Sequence, residues 1–347
     1  MKKVVSLVLA VMLILSLAAC GGSSGQPQQS GTSQSSESTS ASPSQTQTPA
    51  TPEKPVWPTG NQVELVVPYN AGGDTDLYCR AIANALSEKL GITFVVSNVT
   101  GAGAMNAAVD VLEGPTDGSK FLFGHNTYLA YTAAGTAAVD VVTEMKAAGA
   151  IVADNSLCIY APARTGFTSI QDVIDACNAG QEVRISTVAN TYPNYCIRKM
   201  IEAAGVDIRT VETGSVVGEQ IIAALDGQCE LGQGQYVAIR DYVEKGDLNI
   251  IGVFTDELPA GMEDLKTFQS QGINVVEPKY YCFWANPDTD DAIVEAFSAA
   301  LADIQNDAGL AEVLASYYAS VGYMTPSEMQ AMEEDTVSQM QKYFAAQ

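Results

Sequence analysis

The sequence predicts an α/β fold, because short strand-like runs alternate with helical segments along most of the chain. Its 347 residues correspond to about two domains. Apolar residues make up 47% of the chain and charged residues 16%, which supports a substantial hydrophobic core. The alternation favours mostly parallel sheets, and such sheets bind ligands beyond the carboxyl ends of their strands.

The first elements of the chain set this pattern. Residues 63–67 form a β-branched run that Pro68 closes, and residues 74–90 carry apolar residues at helical spacing up to Gly91, which stops the helix. Loops between a strand and the next helix are therefore the first candidates for a site. The other elements expected are strands at 93–97, 120–123, 183–186, 248–253 and 281–285, and helices at 103–112, 170–179, 195–204, 216–226 and 289–305.

The charge balance excludes several classes of function. The chain has 17 basic and 40 acidic residues, a formal net charge of −23, whereas a nucleic-acid-binding protein needs a basic surface. The same balance disfavours attachment to anionic lipids through basic patches. His125 is the only histidine, which excludes a multi-histidine metal site, and we expect neither a metal nor a cofactor.

The N-terminus has the pattern of an export signal with a lipid anchor. Two lysines precede the apolar run 4–19, and LAAC-G around Cys20 resembles a bacterial lipobox, in which the cysteine is lipidated after cleavage. A transmembrane helix is the alternative, but this run is shorter than the ~20 residues that a span needs. We expect a signal peptide over 1–19 and a disordered Ser/Thr/Gln/Pro tether over 20–60.

The first candidate site is the loop 68–76, which lies between a strand and a helix. Gly72 and Gly73 let the backbone turn tightly, and the start of the helix offers free N–H groups and a positive dipole end. This arrangement suits a carboxylate or another anion. An ordinary turn with Thr75 or Asp76 as the N-cap residue is the alternative.

Two further loops follow strands in the same way. The segment 124–128 contains His125, which can donate to an anion, although a lone histidine is more often a packing residue. The segment 186–194 offers N–H and hydroxyl donors from an expected second domain, with a polar surface loop as the alternative.

Motifs for enzymes and cofactors are missing from the sequence. The segment 99–106 superficially resembles a dinucleotide fingerprint, but Asn106 stands where the third glycine belongs. The chain has no Walker motif, no G-x-S-x-G elbow and no H-E-x-x-H pair. The six cysteines after Cys20 include no C-x-x-C pair, and their even number permits either disulfides or buried free thiols.

Taken together, these segments resemble the Bug family, the substrate-binding proteins of tripartite tricarboxylate transporters. The stretch 63–108, with its P-Y-x-x-G-G-x-x-D motif, resembles the family signature, and FLFGHNTY at 121–128 matches its second strand–loop element. LDGQCELGQGQ, GDLNIIGVF and YYCFWANPDTDDAIVEAFSAALADI follow in the family's order. The resemblance covers about residues 62–345.

The resemblance implies a two-domain fold of the periplasmic-binding-protein type (type II), which closes on its ligand like a flytrap. Domain 1 would be discontinuous over 61–162 and 281–347 and domain 2 would span 163–280, with crossings near Pro162 and Tyr281. The implied ligand is a small carboxylate and the implied partner a membrane permease. The site residues that we assign are Tyr69, Ala71, Gly72, Gly73, Asp74, Thr75, Asp76, Gly124, His125, Asn126, Thr127, Thr187, Ala189, Asn190, Thr191, Gly214 and Ser215.

Three departures from the family pattern bear on the identity of the ligand. Asp74 stands where a small or neutral residue is usual, Asn190 where glycine is common, and Gly234 where an acidic residue is frequent. We hypothesise that Asp74 disfavours a second ligand carboxylate or pairs with a ligand amine, with a solvent-facing Asp74 as the alternative. Together with Asp76, it favours a monocarboxylate, dicarboxylate or amino acid over a tricarboxylate.

We therefore expect a monomeric receptor and not an enzyme, anchored by lipid to the outer face of the bacterial cytoplasmic membrane. It would capture a small carboxylate and deliver it to a permease of the tripartite tricarboxylate type. The alternatives are a lipoprotein that senses a ligand for a signalling system, a secreted hydrolase or lyase, and a structural surface lipoprotein. No nucleic-acid partner is expected.

Overall fold

The computed structural model describes residues 57–214 and 216–344. The predicted signal peptide, Cys20, most of the predicted tether and Ser215 lie outside the described residues. The strands are β1 (Gln62–Val67), β2 (Thr93–Asn98), β3 (Lys120–His125), β4 (Lys146–Asp154), β5 (Leu157–Pro162), β6 (Arg184–Ser186), β7 (Arg209–Val211), β8 (Gly232–Gln235), β9 (Leu248–Val253), β10 (Lys279–Ala285) and β11 (Ala319–Met324). The helices are α1 (Asp74–Leu90), α2 (Met105–Leu112), α3 (Thr127–Ala133), α4 (Val141–Glu144), α5 (Ile170–Asn178), α6 (Tyr192–Ala204), α7 (Val217–Leu225), α8 (Tyr236–Glu244), α9 (Asp291–Ile304), α10 (Ala308–Ser316) and α11 (Pro326–Phe344).

The strands form one large sheet and two smaller ones. The larger sheet has six strands in the order β11-β4-β10-β3-β1-β2, the smaller sheet has three in the order β8-β5-β9, and β6 pairs with β7. The expectation of mostly parallel pairing is wrong, since five of the eight strand pairings in the described chain are antiparallel. Strand β10 enters the larger sheet between β3 and β4 and runs antiparallel to both, a direction that no hydrophobic pattern encodes.

The larger sheet is covered by helices on both faces. Alternate residues of β1 point to opposite sides, so Leu65 packs with α1, α9 and α10, while Val66 packs with α2, α3 and α11. Both residues are fully buried. The carboxyl ends of β1 and β3 therefore lead into helices that pack in the hydrophobic clusters on the two faces of the larger sheet.

Trp57, within the tether predicted over 20–60, packs against the described body. The Trp57 indole Nε1 donates a hydrogen bond of 2.7 Å to the carbonyl oxygen of Gly118. Its ring packs edge-on against Phe94, Phe121 and Phe297. Residue 57 is therefore part of the packed body and not of a free tether.

The chain passes twice between the larger and the smaller sheet. The first passage is the two residues Asn155 and Ser156, between β4 and β5. It precedes the predicted crossing near Pro162, because β5 pairs with β8 and β9 of the smaller sheet. The second passage lies between β9 and Lys279, the first residue of β10. None of the described helices is long and apolar enough to cross a membrane.

Candidate functional site

The loop that leads from β1 into α1 has the tight turn that its glycines predict. Ala71 and Gly72 are exposed, and Gly72 has a φ of +85°, in the left-handed region that favours glycine. The N-cap residue of α1 is Gly73, which has no side chain to form a cap. The alternative with Thr75 or Asp76 as the N-cap is therefore wrong, and both side chains are buried inside the first turn of the helix.

Asp76 stabilises the shape of this loop from within. Its carboxylate accepts hydrogen bonds from the backbone N–H of Gly72 at 2.9 Å, from two guanidinium nitrogens of Arg80 and from Asn98 Nδ2. Burial alone would raise the pKa of Asp76, but these hydrogen bonds and the charge of Arg80 lower it. The Asp76 carboxylate is therefore ionised and already holds one amide of the predicted anion site.

Asp74 has an ion-pair partner and hydrogen-bond partners within the protein, which the local sequence does not indicate. Its Oδ2 accepts from Lys279 Nζ at 2.9 Å and from the Tyr281 hydroxyl at 2.6 Å, and its Oδ1 accepts from the Thr75 backbone N–H at 2.8 Å. Burial opposes ionisation, but the Lys279 charge and these hydrogen bonds hold the pKa of Asp74 well below its usual value. Asp74 is therefore held by partners within the protein, with 22% of its side chain still exposed.

His125 is an uncharged side chain that packs between two aromatic rings of the candidate site. Its ring stacks on Tyr69 with centroids 5.1 Å apart and meets the Tyr281 ring edge-on. Nδ1 accepts the Thr127 backbone N–H at 3.2 Å, so the ring proton lies on Nε2. Burial, reinforced by the Lys279 charge, holds the pKa of His125 well below its usual value. The ring is therefore uncharged and offers an N–H donor, not a cation.

The loop after β3 connects two other parts of the site. Asn126 Oδ1 accepts the backbone N–H of Tyr280 at 2.8 Å, which attaches the loop to β10. The Thr127 hydroxyl oxygen accepts the backbone N–H of Tyr192 at 3.4 Å, at the start of α6. This contact joins the second predicted loop, after a strand of the larger sheet, to the third predicted loop, after β6.

The third predicted loop, after β6, combines satisfied and unsatisfied groups. Thr191 caps α6 through its side chain, and Ala189 donates its backbone N–H to Glu212 Oε1 at 3.0 Å. Asn190 has a φ of +60°, a conformation that glycine adopts freely and asparagine tolerates well, which explains its place at this position. The hydroxyl of Thr187 is buried and has no hydrogen-bond partner.

Two predicted glycines have local packing roles. A Cβ on Gly124 would meet the Tyr128 ring at 2.6 Å, so the ring leaves no room for a side chain there. The carbonyl oxygen of Gly214 accepts a hydrogen bond of 3.1 Å from Gln220 Nε2. The prediction for Ser215 falls outside the described residues.

Three residues near the predicted loops were not among the predicted site residues or segments, namely Lys279, Tyr281 and Gln235. Lys279 precedes an apolar strand, where a lysine is normally exposed, yet only 3% of its side chain is exposed. Gln235 Nε2 is buried without a hydrogen-bond partner at the end of β8. Its position at the carboxyl end of a strand is a signal that could have identified it.

The described residues offer no metal centre. They contain no group of three or more His, Cys, Asp or Glu side chains arranged to hold a metal ion. Their six cysteines are free thiols, five of them buried. Burial raises the pKa of Cys158 and of Cys282, so these thiols are not nucleophiles.

Solved structures with the same architecture cover most of the chain. The R. palustris protein Rpa4515 with adipate has a TM-score of 0.73 and 23% identity, over 83% of this chain and 97% of its own. MatC from Rhodopseudomonas palustris with bound malate has a TM-score of 0.70 and 18% identity, over 82% and 98%. The periplasmic binding protein BugD has a TM-score of 0.70 and 21% identity, over 82% and 97%. These likenesses confirm the predicted periplasmic-binding-protein fold.

The family model described as "Tripartite tricarboxylate transporter family receptor" matches residues 78–346. That range covers most of the chain and includes the loop after β3, the third loop and β10. The predicted resemblance to the Bug family is confirmed. The chain therefore belongs to the tripartite tricarboxylate transporter receptor family, whose members are extracytoplasmic solute-binding receptors and not enzymes.

Proposed function

We propose that this receptor captures a small carboxylate between its larger and smaller sheets and delivers it to a tripartite permease. The observation that carries the proposal is the convergence of the three predicted loops. Tyr69 stacks on His125, and Thr127 accepts a hydrogen bond from Tyr192, so the loops after β1, β3 and β6 meet at one place. The buried, unpartnered hydroxyl of Thr187 lies on the third of these loops.

A carboxylate suits this place because its donors are neutral. The starts of α1 and α6 supply positive dipole ends and the backbone N–H groups of their first turns, apart from those of Gly72, Thr75 and Tyr192, which are bonded within the protein. The His125 Nε2–H adds a side-chain donor. Hydrogen bonds to a charged group contribute about 1.5–3 kcal/mol each, and micromolar binding requires about 8 kcal/mol. Several such bonds together with apolar contact to the Tyr69 ring would reach that value. The adipate and malate in two structural relatives support this ligand class.

Closure of two domains would complete the site. We place one domain around the larger sheet and the other around the smaller sheet, joined at Asn155–Ser156 and at the segment before Lys279. Ligand binding would favour the closed form through contacts with both domains. In this proposal the protein acts as a monomer, and a lipid on Cys20 holds it at the outer face of the cytoplasmic membrane.

A thermal-shift panel of mono-, di- and tricarboxylates tests the ligand class. A bound carboxylate at 100 times its Kd should stabilise the fold by about 2.7 kcal/mol and raise the Tm. The primary alcohol of the same skeleton is the matched control and should leave the Tm unchanged. An equal shift with the alcohol, or no shift with any carboxylate, would contradict the proposal.

Delivery to a permease needs a separate test in cells. Deletion of this gene should abolish uptake of the radiolabelled carboxylate that stabilises the protein. Uptake should return with the intact gene, and should return only weakly with a Cys20→Ala variant that cannot be lipidated. Unchanged uptake after deletion would remove the transport role and favour sensing.

A further inference from the structure

A buried ion pair lies against two loops of the proposed site. Lys279 is 3% exposed, and its Nζ lies 2.9 Å from Asp74 Oδ2 in the loop after β1. The next residue, Tyr280, donates its backbone N–H to Asn126 in the loop after β3. Tyr281 donates its hydroxyl to the same Asp74 oxygen. Lys279 thus lies where the two loops of the larger sheet meet.

This ion pair occupies the lysine that could otherwise hold a second ligand carboxylate. Asp74 neutralises Lys279, and the fully buried Asp154 stands opposite Lys279 in the β4–β10 register. His125 is uncharged. Arg80 in α1 and Lys199 in α6 are paired with Asp76 and Glu277. A second carboxylate here would be buried next to acidic side chains without a cation of its own.

The ends of β6 and β8, in the two smaller sheets, offer neutral hydrogen-bonding groups instead. Thr187 and Gln235 are 2% and 7% exposed, and the Thr187 hydroxyl and Gln235 Nε2 have no partner. The parallel bridge between Ile185 and Leu231 aligns β6 with the residue that precedes β8. Thr187 and Gln235 therefore lie at the same end of two neighbouring strands. A hydroxyl and an amide N–H suit an uncharged oxygen, such as that of a hydroxyl, oxo or carboxamide group.

Gln235 is also linked to the ion pair through the strand pairings on either side of the first passage. Gln235 pairs with Leu157, and only Asn155 and Ser156 separate Leu157 from Asp154, the residue opposite Lys279. The buried Oδ1 of Asn155 has no partner either. One unsatisfied donor, Gln235 Nε2, and one unsatisfied acceptor, Asn155 Oδ1, therefore follow closely on the strand that carries Asp154.

Resting on the proposed function, we propose that the ligand is a monocarboxylate with an uncharged hydrogen-bonding group. In this proposal Asp74 excludes a second carboxylate by holding Lys279. The loops at the helix starts bind the single carboxylate, and Thr187 and Gln235 form hydrogen bonds with the neutral group. Asp74→Asn would release Lys279 to accept a second carboxylate and would convert the receptor towards diacids.

Isothermal titration calorimetry with isosteric ligand pairs tests this inference. The pairs are succinate with succinamate, glutarate with glutaramate, and adipate with adipamate, plus the monoamide of any diacid that stabilises the protein in the panel. Each pair differs only in one carboxylate replaced by a carboxamide. The wild-type protein should bind the monoamide of at least one pair about tenfold more tightly than the diacid. The Asp74→Asn variant should reverse that preference.

The surface variant Asp303→Asn is the matched control, because it removes the exposed partner of Lys89. It should leave the preference between monoamide and diacid unchanged. Tighter binding of the diacids by the wild-type protein overturns the inference and leaves the proposed function intact. An unchanged preference in Asp74→Asn removes the role of Asp74. Absence of binding by every carboxylate, in calorimetry and in the panel, overturns the proposed function itself. If Asp74→Asn does not fold, the wild-type preference alone decides.

Discussion

The two sides of the proposed site differ in how far their polar groups are already satisfied. On the larger sheet, Asp74, Asp76 and Asn126 all have hydrogen-bond partners within the protein. At the ends of β6 and β8, in the two smaller sheets, Thr187 and Gln235 each have a buried polar atom without a partner. The polar groups on the larger sheet are therefore already bonded within the protein. In the proposed function, a ligand would add hydrogen bonds to the groups on the two smaller sheets. Substitutions on the first side should affect folding, and those on the second side mainly affinity.

A second contrast concerns buried carboxyl groups within the larger sheet and its helices. Asp74 has a lysine beside it and is ionised. Glu333 in α11 is 1% exposed, and it accepts a hydrogen bond of 2.7 Å from Trp284 Nε1. Burial raises the pKa of Glu333 to about 8, and the hydrogen bond from Trp284 only partly offsets this effect. Asp74 keeps 22% of its side chain exposed and has a lysine beside it, whereas Glu333 is almost fully buried without a cation, so exposure and partner together favour opposite charge states.

The largest expected effect follows removal of the lysine from the satisfied side. Lys279→Met leaves the Asp74 carboxylate next to the cleft without its cation, and we expect a loss of about 3–5 kcal/mol in the free energy of unfolding. Chemical denaturation measures this loss.

The double variant Lys279→Met with Asp74→Asn should regain part of that stability, because it removes the unpaired charge. Lys89→Met is the matched control on an exposed pair and should cost at most about 1 kcal/mol. A loss for Lys279→Met no larger than that of Lys89→Met would show that the buried pair is not needed by the fold.

A smaller effect, of a few kcal/mol, is expected from the pH dependence of Glu333. The unfolded chain releases this proton near the usual pKa of 4.5, whereas the folded protein holds it up to about pH 8. Stability should therefore fall as the pH rises from about 4.5 to about 8. Glu333→Gln keeps an acceptor for Trp284 and should remove this decline, as measured by unfolding free energies across that range.

Asp335→Asn, an exposed change two residues away on the same helix, is the control and should leave the pH dependence as in the wild-type protein. If Glu333→Gln shows the same decline as the wild-type protein, the decline comes from other groups.

The smallest effect on stability is expected on the unsatisfied side. Thr187→Val removes a buried hydroxyl that has no partner, so the free energy of unfolding should change by less than about 1 kcal/mol. The affinity for the stabilising carboxylate should nevertheless fall about tenfold, as measured by calorimetry.

Thr191→Val provides the contrast, because it removes the α6 cap and should cost about 1 kcal/mol of stability. If Thr187→Val unfolds the protein more easily than Thr191→Val and binds ligand normally, the hydroxyl has a structural role and the two sides of the site are alike.

The local elements were the most predictable part of the fold. Helix α1 and strand β9 have the predicted bounds, and most other predicted elements differ by one to three residues at an end. Strands β4, β5, β7, β8 and β11 were not predicted, and neither were helices α3, α4, α8, α10 and α11. One reason is that stretches such as KAAGAIVAD contain small apolar residues without a period. Helix α6 starts earlier than predicted, since Thr191 caps it and Pro193 fits its first turn.

The site was predictable in its loops and not in its charges. A strand, a glycine pair and a helix start are consecutive in the sequence, and they identified the loop that contains Asp74. The partner of Asp74 is Lys279, 205 residues further along the chain. From the sequence alone, Asp74 was expected to act on the ligand directly, because no neighbouring residue indicated that a buried lysine would be its partner.

The sequence by itself determined the α/β class, the order of most elements, the three loops and the family. These features depend on periodicity, turn residues and motifs that act over a few residues. Only the tertiary structure decided the mixed direction of the sheets, the pairing of Asp74, the neutral state of His125 and the unsatisfied groups at Thr187 and Gln235. The reason is physical, since burial and charge pairing depend on side chains that are close in space and distant along the chain.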